Sequence, residues 1–563
     1  MCGIAGIIGH KANIKALKSM LNVQTHRGPD HMGTFLVERE CALGHNRLSI
    51  LDLSEAANQP FISSDGRYFL TFNGEIYNFI ELRSLLKDKY DFKTQSDTEV
   101  LLYAYIEWGK DCLNKFKGMF SFAIWDNDEK ELFAARDRFG VKPFYFSQSD
   151  SSLYFSSEIK ALFEGGIEKS PNEKVWSTFF AYGFNGTGRD SFWKGIYQLP
   201  SGSFLIYKDQ QLHIEKWYDF VNNVSQLTST LNNGKVEDRL MQLYEDTIRL
   251  RFRADVPVGF NLSGGVDSSF LLSMVLKYYG NRNVQAFTFY TDDERYDELI
   301  WVEKMLENTG FQLNKCLLTH EEVPDLTKKM SDHLCEPFGG IPTLAYSKLF
   351  SIAREMGVLV LLDGQGSDEV WAGYDYYLQP EDKLVQGSLK SPVKPGMLKG
   401  DFFELAEYPE AVKPFDTRIL NLQYRDIFST KLPRALKYND MASMINSVEL
   451  REPFLDHELM EFVFSLPLEF KIKGQVQKSF LRDISSKFLN NQISYAPKRP
   501  LQTPQREWLG KELAPWVKDH VNLMLDTGWF DKSYTEKAVD NYMKGDQENS
   551  YFLWQLVNSA HCV

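Results

Sequence analysis

Short apolar segments rich in aromatic residues recur through the first two hundred positions, at 67–72, 131–135, 143–146 and 153–155. Turn-forming residues separate them, and this rhythm predicts a multi-stranded sheet. Leu199-Pro200-Ser201-Gly202 and the apolar run 203–207 predict the last hairpin of this region. Residues 208–233 turn polar, with Asn222-Asn223, Asn232-Asn233 and several Ser and Thr, and predict a linker. From 236 to 252, Leu240, Leu243, Tyr244, Ile248 and Leu250 recur near helical spacing. Strand and helix patterns then alternate: strand 258–262, helix 267–279, strand 284–290, helix 297–309, strand 358–362. Such alternation predicts a parallel α/β sheet. Beyond about residue 400 the pattern is mostly helical.

Composition narrows the class. At 563 residues the chain exceeds a single core, so two domains are expected, at 1–210 and 234–563 with a linker at 211–233. The net charge of −13 argues against a nucleic-acid binder, which needs a basic face. No apolar run reaches the 18 or so residues of a membrane span, and the first ten residues lack the charged region of a signal peptide. Cys2, Cys41, Cys112, Cys316, Cys335 and Cys562 form no CxxC pair, which fits a reducing cytoplasm and gives neither a zinc nor a disulfide framework.

Cys2 stands apart from the other thiols by position. Once Met1 is removed, its α-amino group lies beside its own thiol and can accept the thiol proton, so no histidine base is needed. A cysteine is otherwise most often a small buried hydrophobe. Asn73-Gly74-Glu75-Ile76-Tyr77-Asn78 follows a strand and offers a side-chain amide and a backbone N–H, the donor pair of an oxyanion hole. Asp97, in Ser96-Asp97-Thr98-Glu99, offers a carboxylate to an α-ammonium, and Arg47 a fork to an α-carboxylate. Taken singly, Asn-Gly is a common turn and a lone arginine a common solvated residue.

In the second half, Leu262-Ser263-Gly264-Gly265-Val266-Asp267-Ser268 joins a strand to a helix. Its small residues let backbone N–H groups approach phosphate oxygens, although the Walker Gly-Lys-Ser/Thr is absent. Asp363-Gly364-Gln365-Gly366-Ser367-Asp368-Glu369 follows another apolar strand. Two acidic, glycine-rich strand ends would meet at the carboxyl edge of a parallel sheet, where Asp267 and Asp368 could share Mg²⁺.

Cys2-Gly3-Ile4-Ala5-Gly6, His26-Arg27-Gly28-Pro29-Asp30, Gly44-His45-Asn46-Arg47-Leu48-Ser49, the Asn73 and Ser96 segments, and Ala135-Arg136-Asp137-Arg138-Phe139-Gly140-Val141-Lys142-Pro143 together resemble the class II glutaminase domain of glutamine-dependent asparagine synthetases. The resemblance implies a four-layer αββα N-terminal-nucleophile sandwich. It also implies that Cys2 is the nucleophile, that Asn73 and Gly74 form the oxyanion hole, and that Arg47, Asn73, Glu75 and Asp97 bind glutamine. The Ser263 loop resembles that of N-type ATP pyrophosphatases. The likeness continues through Ala254-Asp255-Val256-Pro257-Val258-Gly259, the segment Ser447-Val448-Glu449-Leu450-Arg451-Glu452-Pro453-Phe454-Leu455-Asp456, and Lys478-Ser479-Phe480-Leu481-Arg482. It implies an ATP site of Leu262, Ser263, Gly264, Gly265, Asp267, Ser268, Phe289, Asp363 and Gly364, with Leu262, Ser263 and Phe289 on adenosine. Asp267 and Asp368 would hold Mg²⁺, Lys478 would stabilise the adenylating phosphate, and Tyr374 would line the acceptor site. The substrates implied are glutamine, ATP and aspartate, with a possible homodimer.

The departures from the family pattern cluster around the acceptor. The usual Ser-Gly-Glu-Gly-x-Asp-Glu becomes Asp363-Gly364-Gln365-Gly366-Ser367-Asp368-Glu369, so an amide stands where a carboxylate is usual. Glu336-Pro337-Phe338-Gly339-Gly340 lacks the aspartate often found after Glu-Pro, Met441 replaces an arginine, and 498–505 differs from the common pattern. Either Asp363 takes over the ionic role with aspartate as acceptor, or the acceptor is another carboxylate, such as a uronic acid.

Overall fold

The computed structural model describes residues 2–185, 188–231, 233–280, 284–307, 309–379, 392–497, 502–546 and 549–563. Met1 and residues 498–501 of the altered C-terminal segment lie outside these. The strands of the first half are β1 (Gly3–Ile8), β2 (His31–Val37), β3 (Cys41–Arg47), β4 (Phe61–Ile62), β5 (Tyr68–Ile76), β6 (Gly118–Asp126), β7 (Glu131–Arg136), β8 (Tyr145–Ser149), β9 (Ser152–Ser156), β10 (Tyr197–Gln198), β11 (Ser203–Lys208) and β12 (Gln211–Lys216). They form two six-stranded sheets, ordered β10-β8-β9-β1-β3-β2 and β12-β11-β7-β6-β5-β4, and every pair is antiparallel.

Alternate side chains of each strand point to opposite faces. In β1, Ile4 and Ile8 pack with Leu43, Trp125, Leu132 and Phe155 between the sheets, while Ala5 and Ile7 pack outward against Leu17, Met20 and Leu21. The latter three come from helix Ile14–Asn22, capped by Asn13. On the far side, Leu70, Phe72, Phe122 and Phe133 pack with Leu82, Val100 and Leu101 of helices Phe79–Leu86 and Asp97–Trp108. The layers are therefore αββα. Because β1 is covered on both faces, all six of its residues are buried, and an alternating pattern does not show in its sequence.

Most of the polar stretch expected to be a linker forms a strand and a helix. Gln211–Lys216 pairs with β11 along its whole length, and helix Phe220–Thr230 buries Phe220 and Val224 beneath helix His457–Ser465. An edge strand and a surface helix need few apolar residues, which is why composition alone reads as loop.

The second half is built on one parallel sheet of β13 (Val258–Asn261), β14 (Gln285–Tyr290), β15 (Gln312–Leu317), β16 (Val360–Leu362) and β17 (Glu449–Arg451), in the order β15-β14-β13-β16-β17. Chain order reverses between β13 and β16, and the loops leaving those two strands are the Ser263 and Asp363 loops. A crevice at such a reversal is where open α/β sheets bind ligands. Helices flank the sheet and make up most of the remainder. The last helix, Tyr551–Ser559, packs back onto the first half, where Gln555 donates to the Phe179 carbonyl at 2.6 Å. Among the described residues no helix is long and apolar enough to cross a membrane.

Candidate functional site

Cys2 precedes β1 and is 8% exposed. Its backbone nitrogen, which becomes the α-amine on removal of Met1, donates to Asn73 Oδ1 at 3.0 Å. Asn73 is fully buried in β5, and its Nδ2 has no hydrogen-bond partner. A buried amide donor left unpaired beside a thiol is costly unless something arriving there accepts from it. Gly74 has φ +152°, and a Cβ there would lie 2.1 Å from the Met119 carbonyl oxygen, so only glycine fits. Burial pushes the Cys2 thiol up.

The carboxylates expected at the substrate's amino end do gather here. Asp97, at the start of its helix, accepts from Ile76 N at 2.8 Å, and burial pushes its carboxyl up to about 6. Glu75 is raised well above its ordinary value, first by burial and then by Glu449, and its Oε2 is unpartnered. Arg47 is placed differently from the expectation. Its guanidinium donates to the carbonyls of Ser54 (2.7 Å), Leu51 and Asp52 and to Asn58 Oδ1 (2.8 Å), so it fixes the loop after β3.

Two residues of the second half complete this site, and sequence reasoning named neither as a candidate. Glu449 and Arg451 of β17 are fully buried, with Arg451 Nε donating to Glu449 at 2.5 Å. Arg451 Nη2 lies 3.5 Å from Glu75 Oε1, and Nη1 donates to the carbonyls of Arg251 and Arg253. Burial would raise Glu449, but neighbouring positive charge, that of Arg451 included, holds it near 2. The visible signal was a Glu-x-Arg pair inside a matched motif.

At the sheet reversal, Lys478 Nζ donates to Asp267 at 2.6 and 2.7 Å and lies 2.6 Å from Asp368 Oδ1. Lys478 caps helix Ser479–Ser485 in the left-handed region, at φ 55°. Burial would lower its ammonium, but Asp267 and Asp368 raise it. A Cβ on Gly373 would lie 2.3 Å from Lys478 Cε, so the glycine makes room for the lysine. Ser367 Oγ adds a bond to Asp267 at 2.7 Å.

Asp267, Asp368, Gly373 and Lys478 line a cavity of about 770 Å³, together with Ser263, Gly264, Gly265, Ser268, Asp363, Gly364, Gln365 and Tyr374. Leu262 and Phe289 line a small crevice that shares Asn261, Ser263, Glu298 and Tyr346 with it. Asp363 accepts from Asn261 Nδ2 at 2.5 Å and from Gln365 N at 3.1 Å, and burial pushes it up to about 6. Tyr374 donates to Glu369 at 2.7 Å. Burial, then Asp368, pushes Glu369 up to about 7, which makes it a third residue that sequence reasoning passed over.

A seam of buried charge joins the two halves. Arg27 donates to the Cys2 carbonyl (3.1 Å), to Glu158 (3.1 Å) and to Asp440 of the second half (2.9 Å). Lys142 lies 3.7 Å from Asp440, and Ser447 Oγ donates to the His26 carbonyl at 2.6 Å. Met441 borders a cavity of about 20 Å³ on this seam, with Arg27, Tyr145 and Asp440.

Comparison with known proteins agrees with this two-site geometry. A glutamine amidotransferase domain profile matches residues 1–218, and an asparagine synthase profile matches residues 239–562. The chain belongs to the glutamine-hydrolysing asparagine synthetase family. Asparagine synthetase [glutamine-hydrolyzing] 1 of Bacillus subtilis (strain 168) is 28% identical, with 99% of this chain and 95% of that protein covered. Asparagine synthetase [glutamine-hydrolyzing] 3 of the same organism is 30% identical over 92% of this chain and 89% of that protein. As a member of this ligase family, the chain carries its glutaminase and synthetase halves in one polypeptide.

Proposed function

We propose that the protein hydrolyses glutamine at Cys2 and passes the ammonia to an aspartate activated by ATP, giving asparagine, AMP and pyrophosphate, with the cytoplasm as its compartment. The observation that carries this reading is the convergence of Lys478, Asp267 and Asp368 on a cavity of about 770 Å³, in a chain whose other half keeps the unpaired Asn73 amide beside Cys2.

The Cys2 amine takes the thiol proton, and the thiolate attacks the glutamine amide. Asn73 Nδ2 and the Gly74 N–H receive the oxyanion, and Glu75 and Asp97 hold the α-ammonium. Ammonia leaves with a proton and a thioester remains for water. In the second cavity the acceptor carboxylate attacks the α-phosphate of ATP. Backbone N–H groups of the Ser263–Ser268 loop and Lys478 hold the phosphate charge. Asp267 and Asp368 suit Mg²⁺, because two hard carboxylates already converge on one cationic nitrogen. Bound there, Mg²⁺ supplies charge neutralisation for the departing pyrophosphate. The water-sized cavity on the seam suits ammonia in transit between the halves.

Cys2→Ala is expected to abolish glutamine-dependent amide formation while leaving formation from added ammonium, and equal loss of both would sink the two-site reading. Asp267→Ala should abolish pyrophosphate release. A pyrophosphate-release screen over aspartate, glutamate and uronic acids identifies the acceptor, with signal expected for aspartate.

A further inference from the structure

The seam between the halves holds a side-chain cluster that neither proposed reaction uses. Glu158 follows β9 and caps helix Ile159–Glu164, and its side chain is 1% exposed. His26 belongs to the short turn Thr25–Arg27, and its Nε2 lies 2.8 Å from Glu158 Oε1. His333 comes from the second half, near the end of helix Val323–Leu334. Its ring meets that of His26 edge-on, with centroids 4.2 Å apart. One nitrogen or oxygen of each residue lies within 4.8 Å of those of the other two.

Two buried atoms of this cluster have no hydrogen-bond partner among the described residues. Glu158 Oε1 faces both Arg27 and His26, but Oε2 accepts from nothing, and His333 Nδ1 is likewise unpaired. Buried polar atoms left unmatched are costly, so each calls for a partner. A metal cation serves carboxylate oxygen and ring nitrogen alike. Two imidazoles and one carboxylate suit Zn²⁺ and its first-row neighbours, whereas Mg²⁺ and Ca²⁺ want a shell of oxygens that one carboxylate cannot give. Nearby positive charge weighs the same way. Arg27 stands on Glu158 Oε1, and Lys160 and Lys329 lie near His333. A purely ionic hold would be weak there, so the bonds must come from nitrogen lone pairs.

We propose that His26, Glu158 and His333 form a binding site for a transition-metal ion of the Zn²⁺ type, which pins the two halves of the chain together. At 2.8 Å, His26 Nε2 donates a hydrogen to the carboxylate. The ion takes the place of that proton, which leaves to solvent. His26 Nε2 and one ring nitrogen of His333 each give a lone pair, and Glu158 gives Oε2 while Oε1 stays on Arg27. Water fills the fourth position. The His26 side chain keeps an edge 14% exposed, through which an ion can enter. The site stands independently of the amidotransferase reading.

The test uses the full, untagged chain carrying Cys2→Ala, which removes that thiol as a competing ligand, with excess Mg²⁺ present to occupy the acidic cavity. Co²⁺ alone is the spectroscopic probe. One equivalent should bind and give the d–d absorption of a nitrogen and oxygen shell, with no thiolate charge-transfer band. Zn²⁺ alone, followed by calorimetry, should bind at the same stoichiometry and raise the melting temperature. His333→Ala and His26→Ala should each weaken Zn²⁺ by roughly a hundredfold or more, since losing even an outer-shell partner costs about 10–100-fold. Both should also erase the thermal shift. Absence of Co²⁺ binding, or a spectrum with thiolate bands, overturns the proposal. So does unchanged Zn²⁺ affinity in either variant, which leaves the cluster a hydrogen-bonded network. The Co²⁺ spectrum is read on the intact cluster, so it decides even where a histidine variant fails to fold.

Discussion

At the level of single residues, both sites depend on groups placed where a substitution has a specific signature. Asn73→Ala removes an oxyanion donor without touching the second cavity. Glutamine hydrolysis is expected to fall on the order of 10²–10³-fold, with ammonium-driven amide formation kept; steady-state rates with each nitrogen source check this. Lys478→Met removes the cation between Asp267 and Asp368. Pyrophosphate release should vanish. The two carboxylates are then left to repel one another, so added Mg²⁺ should raise the melting temperature of the variant more than that of wild type, as calorimetry would read. Several of these residues were legible in the sequence: Cys2 by its position, Asn73, Gly74, Asp97, Asp267 and Asp368 by the motifs around them, and Lys478 only through the family resemblance. Arg47 was legible as a fork but not as a loop anchor, since nothing local shows that carbonyls of residues 51, 52 and 54 curl around its guanidinium.

Among the elements, β17 shows most clearly what a pattern cannot reveal. Its three residues, Glu449, Leu450 and Arg451, include two charges, so no hydrophobic run marks it as a strand. It is nonetheless the edge of the parallel sheet and lies beside Glu75 of the first half, because its two charges pair in a buried position. β15 was missed for a related reason. Gln312, Asn314 and Lys315 leave it mostly polar at the opposite edge. The central strands β13, β14 and β16 and their helices were legible, since strands buried on both faces read as apolar runs. Arg451→Met would remove a buried cation shared by Glu449 and Glu75. A loss of about 3–5 kcal/mol is expected in denaturant unfolding, with a raised KM for glutamine in whatever folds.

For the molecule as a whole, buried acids of opposite tendency set the dependence of stability on pH. Glu158 is held near 2, despite burial, by His26 and Arg27. It contributes stability above its unfolded value of about 4.5, which is lost as pH falls toward 2. Glu452 is the reverse case. Its carboxyl is raised from 4.5 to about 8, so the folded chain keeps a proton that the unfolded chain has lost. The stability it contributes is complete below about 4.5 and declines as pH rises toward 8, on the order of 5 kcal/mol in all. Glu452→Gln should flatten that decline, and unfolding free energies at pH 5, 6.5 and 8 would show it. A slope equal to wild type would place the Glu452 proton elsewhere.

The contact between helix Tyr551–Ser559 and the first half bears on how the chain is made. Helix Glu173–Tyr182 presents Trp176, Phe179 and Phe180 to a cluster that includes Phe530, Trp554 and Leu556. A ribosome adds roughly 5–20 residues each second, so this aromatic face leaves the exit tunnel some tens of seconds before its cover does. Nascent chains stalled ahead of residue 530 should bind holdase chaperones and be cut near that helix, whereas finished chains should resist. The glutaminase half is thus synthesised first but sealed last.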